Sequence, residues 1–120
     1  MPTIDEYLYA ARSRLQRVPP EDLEKAVADG ALLVDIRPDV DRVQDGELPG
    51  AVVIDRIVLE WRLAPSSDAR TFDLEPGQQV ILFCNEGYHS SLAAATLLDL
   101  GVDGATDLVG GYRGWKRSQS

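Results

Sequence analysis

Apolar positions recur every three to four residues at the start of the chain and then condense into short continuous runs. Ile4, Tyr7, Leu8, Ala11 and Leu15 form the first stripe, at helical spacing. Thr3 with Glu6 three residues on has the form of a capping box, and Pro19-Pro20 ends the pattern. Pro20 suits the first position of a second helix, whose acidic first turn (Glu21, Asp22, Glu24) complements the helix dipole, and Gly30 is a natural stop. The runs Leu32–Ile36, Val52–Ile54 and Val80–Phe83 lack strict alternation, the pattern of strands covered on both faces. Ala64 to Gln79 is polar, contains proline and reads as irregular. A helix follows, with Ser90 or Ser91 as its cap, Leu92–Leu98 as its body and Gly101 as its end. Ala105–Val109 reads as a last strand, before Gly110-Gly111 and a turn or short helix to Trp115. Helices alternating with buried strands predict an α/β domain with a mainly parallel sheet.

The composition bounds the possible partners. In 120 residues, 44% are hydrophobic and 27% charged, which is ordinary for one compact domain. A net charge of −8 disfavours nucleic acid and anionic membrane. That charge is uneven: residues 1–19 hold Arg12, Arg14 and Arg17 against Asp5 and Glu6. Cys84 is the one cysteine, so an internal disulfide and an all-cysteine metal site are excluded, and no metal or organic cofactor is expected. The start of the chain has no continuous apolar stretch of the signal-peptide kind, and no run approaches membrane-span length; the cytoplasm is the expected compartment.

Chemistry concentrates in one strand–loop–helix segment. Cys84 ends a buried strand, and Asn85-Glu86-Gly87-Tyr88-His89-Ser90 leads straight into the helix. Ligands of open α/β sheets bind at that edge, and the loop amides with the helix start make a concave anion site. Such a site favours a thiolate and the outer sulfur of a persulfide. A lone cysteine after apolar residues is also a common packing residue; the loop and the helix behind it favour function. Glu86 opposes the thiolate by roughly 0.7–3 kcal/mol if it lies about 6 Å away. Several amide donors outweigh that repulsion, at about 1.5–3 kcal/mol each to a charged sulfur.

Three separated motifs resemble a known family. Cys84-Asn85-Glu86-Gly87-Tyr88-His89-Ser90 is similar to the rhodanese loop C-x-x-G-x-[R/basic]-S. Asp35-Ile36-Arg37 followed by Gly46-Glu47-Leu48-Pro49-Gly50-Ala51 resembles D-V-R … G-H-I-P-G-A, and Leu108-Val109-Gly110-Gly111 to Trp115 resembles the closing L-x-G-G-x-x-x-W. The resemblance implies a rhodanese-like three-layer domain over residues 20–120, with a five-stranded sheet flanked by helices and a helical extension at 1–19. It further implies a sulfurtransferase with Cys84 as nucleophile and Asn85, Glu86, Gly87, Tyr88, His89 and Ser90 as the substrate cradle. Sulfane sulfur passes from thiosulfate or a persulfide, small or protein-borne, to a thiol or cyanide. The protein is expected as a monomer or homodimer. Two positions depart from the pattern: His89 stands where the family usually has Arg, and Glu47 where it has His.

Other readings stand beside this one. A cysteine phosphatase would need C-x-x-x-x-x-R, and Ser90 occupies that Arg position. A catalytically weak binding or regulatory module would fit the loss of the usual Arg. A Cys–His protease pair has no third group to orient it. His89 reads either as a partial cation at the loop exit or as a solvated residue. Asp35 and Arg37 read as a strand-end ion pair that could also orient the loop, and Arg62 as a solvated residue able to reach an anion. The stripe on the first helix is expected to pack on the domain.

Overall fold

The computed structural model describes residues 1–119, so Ser120, the last residue of the expected domain, lies outside the described residues. Four parallel strands carry the architecture: β1 (Leu32–Asp35), β2 (Val52–Val53), β3 (Val80–Phe83) and β4 (Ala105–Asp107), in the order β2-β1-β3-β4. Among the described residues six α-helices surround them, α1 (Ile4–Arg12), α2 (Pro20–Ala28), α3 (Asp39–Asp45), α4 (Leu59–Leu63), α5 (His89–Asp99) and α6 (Gly111–Ser118), with a 3-10 turn at Arg56–Val58 leading into α4.

Strand periodicity sorts the core into two halves. Val34, Ile36, Val80 and Leu82 face α5 and α4, where Leu59, Leu63, Ala93, Ala94 and Leu97 are buried against them. Leu33, Ile81 and Phe83 face the other way, onto Leu23 of α2, Tyr112 of α6, Leu48 and Leu108. All four β3 residues are fully buried, which is why that run shows no alternation. The result is the expected three layers, with α1 lying outside them on α5.

The fifth strand is reduced to a single bridge. Val18 pairs with Leu108 beyond β4, its N–H donating to the Asp107 carbonyl at 3.0 Å and its carbonyl accepting from Val109 at 2.9 Å. Pro19 and Pro20 lack the N–H that a longer strand needs. The same pairing draws the chain out of α1 earlier than the apolar stripe suggests. The capping box forms, with Thr3 and Glu6 bonding reciprocally at 2.9 and 3.0 Å. The helix nevertheless ends at Arg12. Ala11 is buried and Leu15 packs on the core, but Ile4 and Tyr7 stay exposed, so only part of the stripe packs on the domain.

Helix α5 begins at His89, with Tyr88 as an N-cap that makes no side-chain bond. Neither Ser90 nor Ser91 caps it, because both hydroxyls donate to Asp107 Oδ2 at 2.7 Å. Helix α3 has no buried residue and therefore no apolar stripe to announce it.

Candidate active site at Cys84

The site begins where β3 ends. Cys84 is the next residue after the strand and is half-buried. The chain then turns through Gly87, at φ +86°, into α5. This positive φ brings the Gly87 N–H to 3.2 Å from Cys84 Sγ. Among the described residues, the N–H groups of Glu86, Tyr88, His89 and Ser90 meet no protein acceptor. They are the unpaired donors of a loop running into a helix start.

Helix α6 holds the back of the loop. The N–H of Tyr112 donates to the Cys84 carbonyl at 2.8 Å, and that of Arg113 to the Asn85 carbonyl at 3.0 Å. A Cβ on Gly111 would lie 2.5 Å from the Cys84 carbonyl oxygen, so only glycine permits this approach. The Gly110-Gly111 pair is therefore part of the site's construction.

Asp35 and Arg37 form more than a strand-end ion pair. Arg37 holds the Asp35 carboxylate through Nε and Nη2, and its Nη1 reaches Asn85 Oδ1 at 3.1 Å. Its guanidinium stacks 4.3 Å from the centre of the Tyr112 ring and is buried. Asn85 Nδ2 in turn donates to Asp45 at the end of α3, at 3.1 Å. Glu86 is exposed and ion-paired with Arg113 at 2.7 Å. Its repulsion of the sulfur is thus weaker than the sequence alone suggests. Arg62 donates to the Ala69 carbonyl and braces the irregular segment.

His89 is not a cation at the loop exit. Its Nε2 accepts a hydrogen bond from Arg56 Nε at 3.0 Å, which requires the neutral ring. Desolvation, then the Arg56 charge, lowers its pKa from the usual 6.5, against a smaller opposing effect of Glu60. A proton NMR titration is expected to show a His89 midpoint below that value. Because the unfolded chain then takes the proton first, stability falls as pH drops from about 6.5 toward that midpoint. A midpoint above 6.5 would mean that the Arg56 contact does not form.

Several residues at the loop carry no local signal in the sequence. Arg12 Nη2 donates to the Gly87 carbonyl at 2.7 Å and lies over the exposed Tyr88 ring, and Arg17 Nη2 reaches the same carbonyl at 3.3 Å. Asp107, fully buried, accepts from Arg17, Ser90 and Ser91.

A model of the rhodanese-like domain matches residues 19–118. The chain belongs to the rhodanese-like family. Thiosulfate sulfurtransferase GlpE of Pseudomonas fluorescens is 32% identical over 104 residues, 87% of this chain and 87% of that protein. The human single-domain sulfurtransferase TSTD1 superposes with a TM-score of 0.71 at 28% identity, over 87% of this chain and 97% of that one. A Rhodopseudomonas palustris protein of unknown function, RPA3614, described as a possible tyrosine phosphatase, superposes with a TM-score of 0.84 at 27% identity. It covers all of this chain and 93% of its own, so this rhodanese-like architecture extends there to the N-terminal helix. No helix among the described residues is long and apolar enough to cross a membrane.

Proposed function

We propose that the protein is a sulfurtransferase that carries sulfane sulfur as a persulfide on Cys84, accepting it from thiosulfate or a persulfide and passing it to a thiol or cyanide. The observation that carries this reading is the half-buried Sγ with the Gly87 N–H on it, in a loop whose Glu86, Tyr88, His89 and Ser90 amides have no protein acceptor among the described residues. The thiolate attacks the sulfane sulfur of the donor, a new sulfur–sulfur bond forms, and the donor's own bond breaks, its electrons leaving with sulfite or a thiolate. The outer sulfur then waits among the amides, which can bond its negative charge without reorganising. An acceptor thiolate or cyanide attacks that outer sulfur, and Cys84 departs as the thiolate. Asn85, Glu86, Gly87, Tyr88, His89 and Ser90 contribute main-chain donors in this scheme. The Ser90 side chain is turned away to Asp107.

A phosphatase is the second reading, favoured by the description of the R. palustris relative. Phosphoryl transfer needs a cation on the equatorial oxygens. Residues 85–90 contain no arginine. The guanidinium groups of Arg12 and Arg17 point at a carbonyl oxygen on the loop, and that of Arg37 at Asn85. Transfer from a small-thiol persulfide brings no such dianion to the site.

Mass spectrometry of the protein after exposure to a donor tests the proposal. The wild type should become about 32 Da heavier on Cys84, and cyanide or a small thiol should reverse the gain. With no arginine within the loop itself to bind a dianion, a small-thiol persulfide should load faster than thiosulfate at equal concentration. Thiosulfate saturation at low concentration would refute that preference. Hydrolysis of an aryl phosphate without any sulfur adduct would overturn the proposal itself.

A further inference from the structure

We propose that Arg12 and Arg17, on the segment ahead of the family match, are positioning residues that hold the Cys84 loop in its sulfur-binding shape. The inference rests on the sulfurtransferase reading for its chemistry, but its geometry stands separately. The match begins at residue 19, yet both side chains end on one atom of the loop, the Gly87 carbonyl oxygen.

Gly87 is the joint of the loop. Its N–H is the donor to Cys84 Sγ, and its φ of +86° together with the lack of a Cβ leaves the next peptide free to rotate cheaply. In a trans peptide the carbonyl and the following N–H point in opposite directions. Holding the Gly87 oxygen toward the arginines therefore holds the Tyr88 N–H on the opposite side, while the preceding N–H stays on the sulfur.

Three donors approach that oxygen: Arg12 Nη2 at 2.7 Å, Arg17 Nη2 at 3.3 Å and Ser91 Oγ at 3.3 Å. The serine hydroxyl has a single proton, and Asp107 Oδ2 takes it at 2.7 Å. The arginines are thus the effective clamp. Both are themselves held in place. Arg17 is bidentate on Asp107, at 2.7 and 3.2 Å, and Arg12 Nε donates to Ser91 Oγ at 3.0 Å. The carboxylate of Asp107 is fully buried, so Arg17 is its charge partner and not a free surface group. Where a rhodanese loop usually carries an arginine of its own, the cations here come from another part of the chain and act on the Gly87 carbonyl oxygen.

The test uses the full chain and the Arg12 series, because Arg17→Ala would leave the buried Asp107 without its charge partner and so confound loop geometry with folding. Circular dichroism checks the fold of each variant, and Arg14→Ala, whose ion pair with Asp99 lies on the surface, is the control from the same segment. Arg12→Ala is expected to lower the ultraviolet thiolate absorbance of Cys84 at pH 7. It should also slow both alkylation and sulfur loading about tenfold, the factor carried by one hydrogen bond of ordinary net strength. Arg12→Lys keeps one donor and should recover part of each. A rate for Arg12→Ala within twofold of wild type overturns the clamp. So does a loss shared by Arg14→Ala, or an Arg12→Lys variant no better than Arg12→Ala. If the wild type gains no sulfur from any donor, the sulfurtransferase reading fails, and thiolate absorbance with alkylation still decides the clamp.

Discussion

Cys84→Ser should abolish sulfur loading and leave the fold standing. The hydroxyl of serine is close in size to the thiol and can accept the Gly87 N–H that now bonds to Sγ at 3.2 Å. The site is half-buried, so the substitution opens no large cavity, and stability should change by no more than about 1 kcal/mol. Chemistry has no such tolerance. An un-ionised hydroxyl cannot form a bond to sulfane sulfur that survives as a carrier, and the chain has no second cysteine to take over. Thiocyanate formation from thiosulfate and cyanide should fall by about a thousandfold or more, to background. A variant that retains a tenth of wild-type turnover would show that sulfur moves without a covalent stop on this residue.

Arg37→Met is expected to have the largest effect on stability. Arg37 has no exposed side-chain surface and is the close partner of a carboxylate that is itself buried; Arg42 stands further off, 3.6 Å from Asp35. Methionine fills part of the space but leaves that buried charge with only the more distant Arg42, at a cost of about 3–5 kcal/mol. Natural domains have about 5–15 kcal/mol in all, so the variant should melt about 10–20 °C lower. Removing both charges, as Asp35→Leu with Arg37→Met, should recover much of the loss, because the penalty lies in the unpaired charge and not in the missing attraction. Urea unfolding of the two variants checks this. An Arg37→Met variant within 1 kcal/mol of wild type would mean that water reaches Asp35. The same substitution frees Asn85 from its 3.1 Å bond to Nη1, so sulfur loading should slow even in the fraction that stays folded.

Local order along the chain was legible wherever neighbours in sequence decide the structure. The Thr3–Glu6 box, the fully buried β3 run and the strand–loop–helix around Cys84 all depend on residues a few positions apart. The motif spacing identified the family. Boundaries were less legible. A stripe of apolar residues could not show that α1 stops at Arg12, because Val18 is drawn to β4 by partners about ninety positions away. Ser90 and Ser91 have the right chemistry for a cap, but a distant carboxylate outcompetes the helix for their hydroxyls.

What the sequence determined by itself is the setting of Cys84: one sulfur at the carboxyl edge of a buried strand, followed by a glycine turn and a helix start. Only the tertiary structure decided where the charges go. Arg12, Arg17 and Arg113 look like ordinary polar residues in sequence, and each ends on the loop or on a residue that holds it; Arg37 stood out only as the partner of Asp35, and its reach to Asn85 appears in the fold. The reason is physical. Hydrophobic periodicity and turn chemistry act between near neighbours, whereas the partner of a long cationic side chain is whichever carboxylate or carbonyl the packed fold brings within its reach.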